Sequence, residues 1–259
     1  MAAGRTALLE QYVPYPFHIT RPFHANPARP DLATLYLQSA SGGVYAGDDL
    51  ALSVVVGQGA AAHVTTQSAT IVHECRDAAA RLTTTATVAA DGFLAYLPDP
   101  LVLFPDAEVS AVLDITLLMG ARAILADSAG LHDPQALGRP FRRFHGAITV
   151  RDAVGAVRLS DRGGIDGAAL TGPGVLGGWR AWGLLLVLGP EALLPDAASM
   201  EAAAEASGCY AGASAAPSGL GLAVRLLGPD GGTLGRCIAA LAAEAAVSLA
   251  GCRLIARGK

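Results

Sequence analysis

The sequence predicts a mainly β body that ends in two helices. Three observations carry this expectation. Apolar residues recur at period two over most of the chain from Leu32 onward. β-Branched residues and Thr fill those runs, and Gly, Asp and Pro punctuate them at short intervals. Helical spacing appears only late, in Ala-rich segments. The chain of 259 residues is expected to form one domain, 1–195 mostly β and 196–259 with two helical segments.

The elements follow in order. The first 30 residues carry Pro14, Pro16, Pro22, Pro27 and Pro30, which exclude a continuous helix and favour an extended edge segment. Leu50, Leu52, Val54 and Val56 alternate until Gly57-Gln58-Gly59 turns the chain. Leu82, Thr84, Ala86 and Val88 repeat the pattern, and Asp91-Gly92 reads as a hairpin turn. Val109 to Leu117 alternates again and ends at Met119-Gly120. Ile148 and Val150 lead to a turn near 152–155, and Val157 and Leu159 follow. Trp182 to Leu188 reads as a further strand. Asp196 is the expected N-cap of a helix through Ser207. Residues 209–221 read as a loop. Leu234, Ile238, Leu241, Ala245 and Leu249 mark a second helix over 233–249. No internal repeat is evident.

Bulk properties exclude several functions. Hydrophobic residues make up 52% and charged residues 15%, so some surface is expected to need a partner. Net charge is −4 without a basic run, which argues against nucleic-acid binding. The N-terminus lacks a basic region followed by an apolar core. Apolar runs such as 182–188 fall far short of a membrane span. Four cysteines, none in a Cys-x-x-Cys pair, suit a reducing compartment. A cytoplasmic, non-membrane protein is the expectation.

The stretch HVTTQSATIVHEC, 63–75, holds the densest set of candidate ligands: His63, His73, Glu74 and Cys75. An unbroken strand would hold His63 and His73 about 33 Å apart, too far for one ion. Only His73 and Cys75 can then share an ion, and two ligands do not close a site. Three readings stand: a metal-dependent enzyme using His63, His73 and Cys75, a Cys-His nucleophile, or polar residues on a half-exposed strand. Thr65, Thr66, Gln67 and Ser68 can satisfy buried backbone groups or line a wet passage. Gly42, Gly43 and Gly47 form a glycine-dense turn that fixes Asp48.

Standard catalytic constellations are missing. Gly172 to Gly177 fits G-x-G-x-x-G, but Pro173 lies inside it and it precedes a strand instead of opening a helix. Lys259 is the only lysine, so no phosphate loop of the usual type exists. Ser218 does not sit in a G-x-S-x-G elbow.

Five segments, in this order, resemble the UreD-type (UreH-type) urease accessory proteins. They are PFHITRPF (16–23), SGGVYAGDDL (41–50), AHVTTQSAT (62–70), AYLPDPLVLFPDA (95–107) and DSAGLHDPQALGRPF (127–141). The family pattern places a Gly-Gly-x-x-Gly-Gly-Asp turn at Asp48, a polar strand at Thr65, Thr66, Gln67 and Thr70, and a Leu-Gly-Arg loop at Arg139. Ala46 replaces a Gly of that turn. Ile71 and His73 stand where many members have Lys and Tyr. Arg142-Arg143-Phe144-His145 occupies the place of a frequent Glu.

The resemblance implies a helical stack of β-strands with a few helices, and no enzymatic activity. It implies a UreF-type partner, through it a UreG-type GTPase, and docking on urease apoprotein. No permanently bound cofactor is implied; Ni²⁺ is expected in transit through an internal passage. A transit path needs weak oxygen ligands. Asp48, Thr65, Thr66 and Gln67 are therefore the path candidates, ahead of His73 and Cys75. Gly42, Gly43, Gly47, Asp48 and Arg139 are the motif positions.

Overall fold

A computed structural model describes residues 4–170 and 172–255. The chain winds between two sheets. β1 (Phe17–Ile19) lies antiparallel on β2 (Ala33–Ser39) at one edge. The winding then runs from β2 to β3 (Asp49–Val56). Two three-stranded turns follow. The first is β4 (Ala61–Thr66), β5 (Ile71–Val72) and β6 (Ala80–Val88). The second is β7 (Phe93–Leu97), β8 (Leu101–Leu103) and β9 (Glu108–Leu117). β10 (Arg122–Leu131) and β11 (Arg143–Arg151) complete the stack. β2, β4, β7 and β10 pair in parallel in the larger sheet, and β3, β6, β9 and β11 do so in the smaller. β12 (Val157–Asp166) returns on β11 as a hairpin. β13 (Ala181–Leu188), α1 (Ala197–Ala206), β14 (Tyr210–Ala215), β15 (Gly221–Gly228) and α2 (Gly231–Ala250) follow. β13, β15 and β14 extend the larger sheet antiparallel beyond β10. The expected stack of strands with late helices is what the chain forms.

Residues one turn apart stack in register. Leu35, Val64, Tyr96 and Leu125 form one row of the larger sheet. Leu52, Thr84, Leu113 and Ile148 form one of the smaller. Each corner between the sheets needs one residue with positive φ. Gly59 (63°), Asp91 (58°) and Gly120 (70°) supply it in successive turns. Asp91-Gly92 is therefore a corner and not a hairpin: β6 leaves the smaller sheet and β7 enters the larger one. The dipeptide turns the chain, and parallel stacking sets where it goes next.

Three cores hold the layers. Leu94, Leu125, Ile148 and Leu186 pack between the sheets. Val72, Cys75, Leu103 and Phe144 fill the third side, around β5 and β8. Ile124, Leu185, Leu234 and Leu241 lie between the larger sheet and the helices. α2 is long and apolar enough to cross a membrane by length and composition, although no continuous apolar run marks it in the sequence. Its apolarity is accounted for by the sheet it covers. Asp196 caps α1 by accepting from Ser199 N–H at 2.9 Å, as expected. α2 begins at Gly231, two residues earlier than expected, because Asp230 caps it through Thr233 N–H at 2.7 Å. The expected loop over 209–221 instead contains β14, an edge strand whose small residues gave little β signal.

Candidate functional site

A cavity of about 330 Å³ lies between the two sheets. Leu82 and Ala111 are among the residues that line it. Leu82, Ala111 and Gly146 are neighbours in one row of the smaller sheet. Facing Gly146 is Asp127 on β10. A Cβ at position 146 would stand 3.0 Å from Asp127 Oδ2. Leu125 and Ala129, two residues to either side on the strand, are fully buried. Asp127 is almost wholly enclosed by protein atoms yet keeps accessible surface, and it lines the cavity.

The environment of Asp127 is sparing. Burial raises its pKa to about 6, and the Asp161 carboxylate adds to the rise. Tyr96 also lines the cavity, and its hydroxyl lies 3.1 Å from Thr84 Oγ1. Burial raises the Tyr96 pKa, the bond with Thr84 opposes this, and the Asp127 charge adds to it. The cavity thus offers the enclosed Asp127 carboxylate with hydroxyl oxygens nearby, and Asp99 is a second acid in its lining. Few carboxylates among neutral oxygens are a donor set suited to weak coordination of a divalent cation.

The polar segment after β4 lines the same cavity. Thr66, Gln67, Ser68 and Thr70 contribute to its wall. Thr66 Oγ1 also accepts the Asp99 N–H at 2.9 Å. Gln67 accepts from Gln38, which in turn meets His18 Nδ1 at 2.7 Å. Thr65 points to the opposite face, where its hydroxyl donates to Leu97 O at 2.6 Å. Thr65 and Thr66 both satisfy backbone groups, and Thr66 and Gln67 face the cavity as well.

Asp48 does not line this cavity. Its Oδ2 accepts the Tyr45 N–H at 2.8 Å and closes the glycine turn. Gly43 (φ 150°) permits a close approach: a Cβ there would stand 2.7 Å from Ile71 O. Gly42 and Gly47 also take positive φ, at 76° and 77°. Arg139 pairs with Asp106, and its N–H donates to Asp133 Oδ2 at 3.1 Å.

His63, His73 and Cys75 do not converge. The strand assumed across 63–75 breaks after Thr66 and resumes at Ile71. His63 is buried beside α2, where it lines a small pocket with Thr65 and Ile238. His73 stacks on Tyr45 with ring centroids 4.5 Å apart. Cys75 is fully buried, and its thiol donates to His73 O at 3.4 Å. Among the described residues, no three His, Cys, Asp or Glu side chains gather to hold an ion. The Gly172–Gly177 stretch is a loop ahead of β13, as its order relative to the strand implied.

Asp127, Tyr96 and Thr84 were not singled out from the sequence. Asp127 carried a usable signal: a lone acid inside the otherwise apolar run RAILADSAGL. A strand buried on both faces should read as continuously apolar, so its charge marks an exception.

Comparison with known proteins bears on the whole chain. The profile of the family described as UreD urease accessory protein matches residues 1–256. Urease accessory protein UreD 1 of Methylorubrum extorquens (strain PA1) is 48% identical over 252 residues, covering 96% of this chain and 86% of that protein. UreD 3 of Bradyrhizobium sp. (strain ORS 278) is 45% identical over 258 residues, covering 100% and 91%. UreD 1 of Pseudomonas syringae pv. syringae (strain B728a) is 33% identical over 232 residues, covering 88% and 81%. The chain belongs to the UreD urease accessory protein family, and is a urease maturation factor rather than an enzyme.

Proposed function

We propose that this chain delivers Ni²⁺ to urease apoprotein by giving the ion a route between its two sheets. The carrying observation is Asp127, an enclosed carboxylate in a cavity that Thr84, Tyr96, Thr66 and Gln67 line with oxygens. Scattered carboxylates among neutral oxygens bind weakly enough to release their cargo. Nickel is cargo here, and no resident cofactor takes part.

The chain acts in the cytoplasm as a scaffold. It holds a UreF-type protein, through it a UreG-type GTPase, and urease apoprotein. Family membership and a charged fraction of 15% support a life in complexes. No nucleic acid or membrane enters this scheme.

The test is urease nickel content in cells that carry Asp127→Asn. This change keeps the volume and removes the charge. Loading should fall several-fold while the accessory complex is recovered in normal amount. Asp48→Ala serves as a comparison. Its effect should be smaller, through the Tyr45 turn alone. Normal loading in the Asp127 variant would remove that residue from the route.

A further inference from the structure

The two sheets end in β1, β14, β12 and β3, and the first three of these edges are blunted. β1 is only three residues long. β14 is backed by α1, whose Glu201 carboxylate accepts the Ala213 N–H at 2.7 Å. β12 carries Arg158, Asp161 and Arg162, and its Arg158 carbonyl accepts from the Ser218 hydroxyl at 3.2 Å. Short length, charge and covered backbone stop a further strand from adding to an edge. β3 lacks all three. It is eight residues long, without Lys, Arg or Pro, and Asp49 at its start is its only charge. Among the described residues, no strand pairs with its outer side.

The backbone of β3 fixes which groups it offers. The carbonyls of Asp48 and Val56 accept N–H groups from Arg81 and Ala89, in and just after β6, at 2.7 and 2.9 Å. Strand alternation then turns the N–H and C=O of Asp49, Ala51, Ser53 and Val55 outward. The side chains of these four are exposed, Val55 to 77%. The four positions are symmetric about Leu52. Leu50, Leu52 and Val54 pack against the inner cores yet stay only half-buried.

We propose that β3 pairs antiparallel with β3 of a second copy of this chain, about a two-fold axis through Leu52. In that register Asp49 lies opposite Val55 of the second copy, and Ala51 opposite Ser53. All four outward positions then exchange their N–H and C=O groups. The inward row sets Leu52 against Leu52 and Leu50 against Val54, so every pair on that side is apolar. The two Asp49 carboxylates stay about 20 Å apart, and no like charges meet. This match of the strand with itself, in hydrogen bonds, apolar pairs and charge, favours a second copy over a foreign strand. Main-chain bonds supply the affinity, and the apolar pairs fix the register.

The test is sedimentation velocity of the full chain across micromolar concentrations. A reversible monomer–dimer equilibrium is expected. Ala51→Lys with Ser53→Lys sets like charges opposite each other and should weaken dimerisation about tenfold. Ala51→Lys with Ser53→Asp sets opposite charges together and should retain the dimer. Both side chains are exposed in the single chain, and circular dichroism checks that each variant folds. Disulfide trapping reads the register. Opposed Cα atoms lie about 5.5 Å apart, so a mixture of Ala51→Cys and Ser53→Cys should cross-link under copper–phenanthroline, and Ala51→Cys alone should not. A wild-type chain that stays monomeric throughout overturns the proposal. So does a doubly Lys-substituted chain that dimerises as wild type does, loss of the dimer in the Lys–Asp variant, or equal cross-linking of Ala51→Cys alone. The readout contains no nickel, so its failure leaves the ion route standing, and the reverse holds too.

Discussion

Asp127 and Gly146 face each other across the two sheets, with a Cβ at position 146 placed only 3.0 Å from the Asp127 carboxylate. The missing side chain on one strand makes space for the charge on the other. Larger residues fill the neighbouring rows: Ile148 beside Gly146, and Leu125 beside Asp127. A void with a carboxylate costs stability, and apolar packing on either side shows that the fold could have closed it.

The cost of Asp127 has a pH signature. Burial first, and the Asp161 carboxylate second, raise its pKa to about 6. The unfolded value is about 3.9. Between about pH 4 and pH 6 the folded chain holds a proton that the unfolded chain has released, so stability falls as pH rises through that window. Above it the penalty is constant, roughly 2–3 kcal/mol for about two pK units. Asp127→Asn should therefore stabilise the chain by that amount at pH 7.5 and leave it unchanged at pH 4. Urea unfolding at both pH values checks this; an equal effect at both contradicts it.

α2 depends on its cap. Asp230 accepts the Thr233 N–H at 2.7 Å and the Thr233 hydroxyl at 2.8 Å. Asp230→Ala should cost about 1 kcal/mol, and Asp230→Asn much less. Urea midpoints of the three proteins, compared at a constant m-value, decide it.

All four cysteines are free and buried. Burial, with the Cys209 thiol alongside, pushes Cys237 up to about 12. A thiol reagent at pH 8 should leave the native chain unmodified and label all four in guanidinium. Rapid native labelling of Cys75 would show that the third side of the stack opens readily.

The low charged fraction predicts poor solubility in isolation. Co-expression with a UreF-type protein should raise the soluble yield. A monodisperse, concentrated preparation of the lone chain counts against a permanent partner.

Strands were legible where one face is half exposed. β3 and β6 show clean alternation because Ala51, Ser53 and Val55 meet solvent while Leu52 and Val54 turn inward. Their destination was not legible, since the corner residues Gly59, Asp91 and Gly120 specify a turn without naming the next sheet. The stack left no sequence repeat because equivalent positions carry different residues, as Leu52, Thr84, Leu113 and Ile148 do. Thr66 and Gln67 were found through a run of polar residues. Asp127 was missed because its partner in shaping the cavity, Gly146, is distant in sequence and contributes only an absence.

The ion route is tested most directly by blocking it with an apolar side chain. Ala111→Leu would place a larger apolar side chain in the cavity wall that Ala111 helps to form. Gly163→Leu, on β12, meets open space and serves as the control. Nickel per urease active site would be measured by elemental analysis of urease purified from cells carrying each variant, with recovery of the accessory complex checked in parallel. A several-fold loss with Ala111→Leu, and none with Gly163→Leu, is the predicted result. Full loading with the cavity filled and the complex intact would show that nickel does not pass between the sheets.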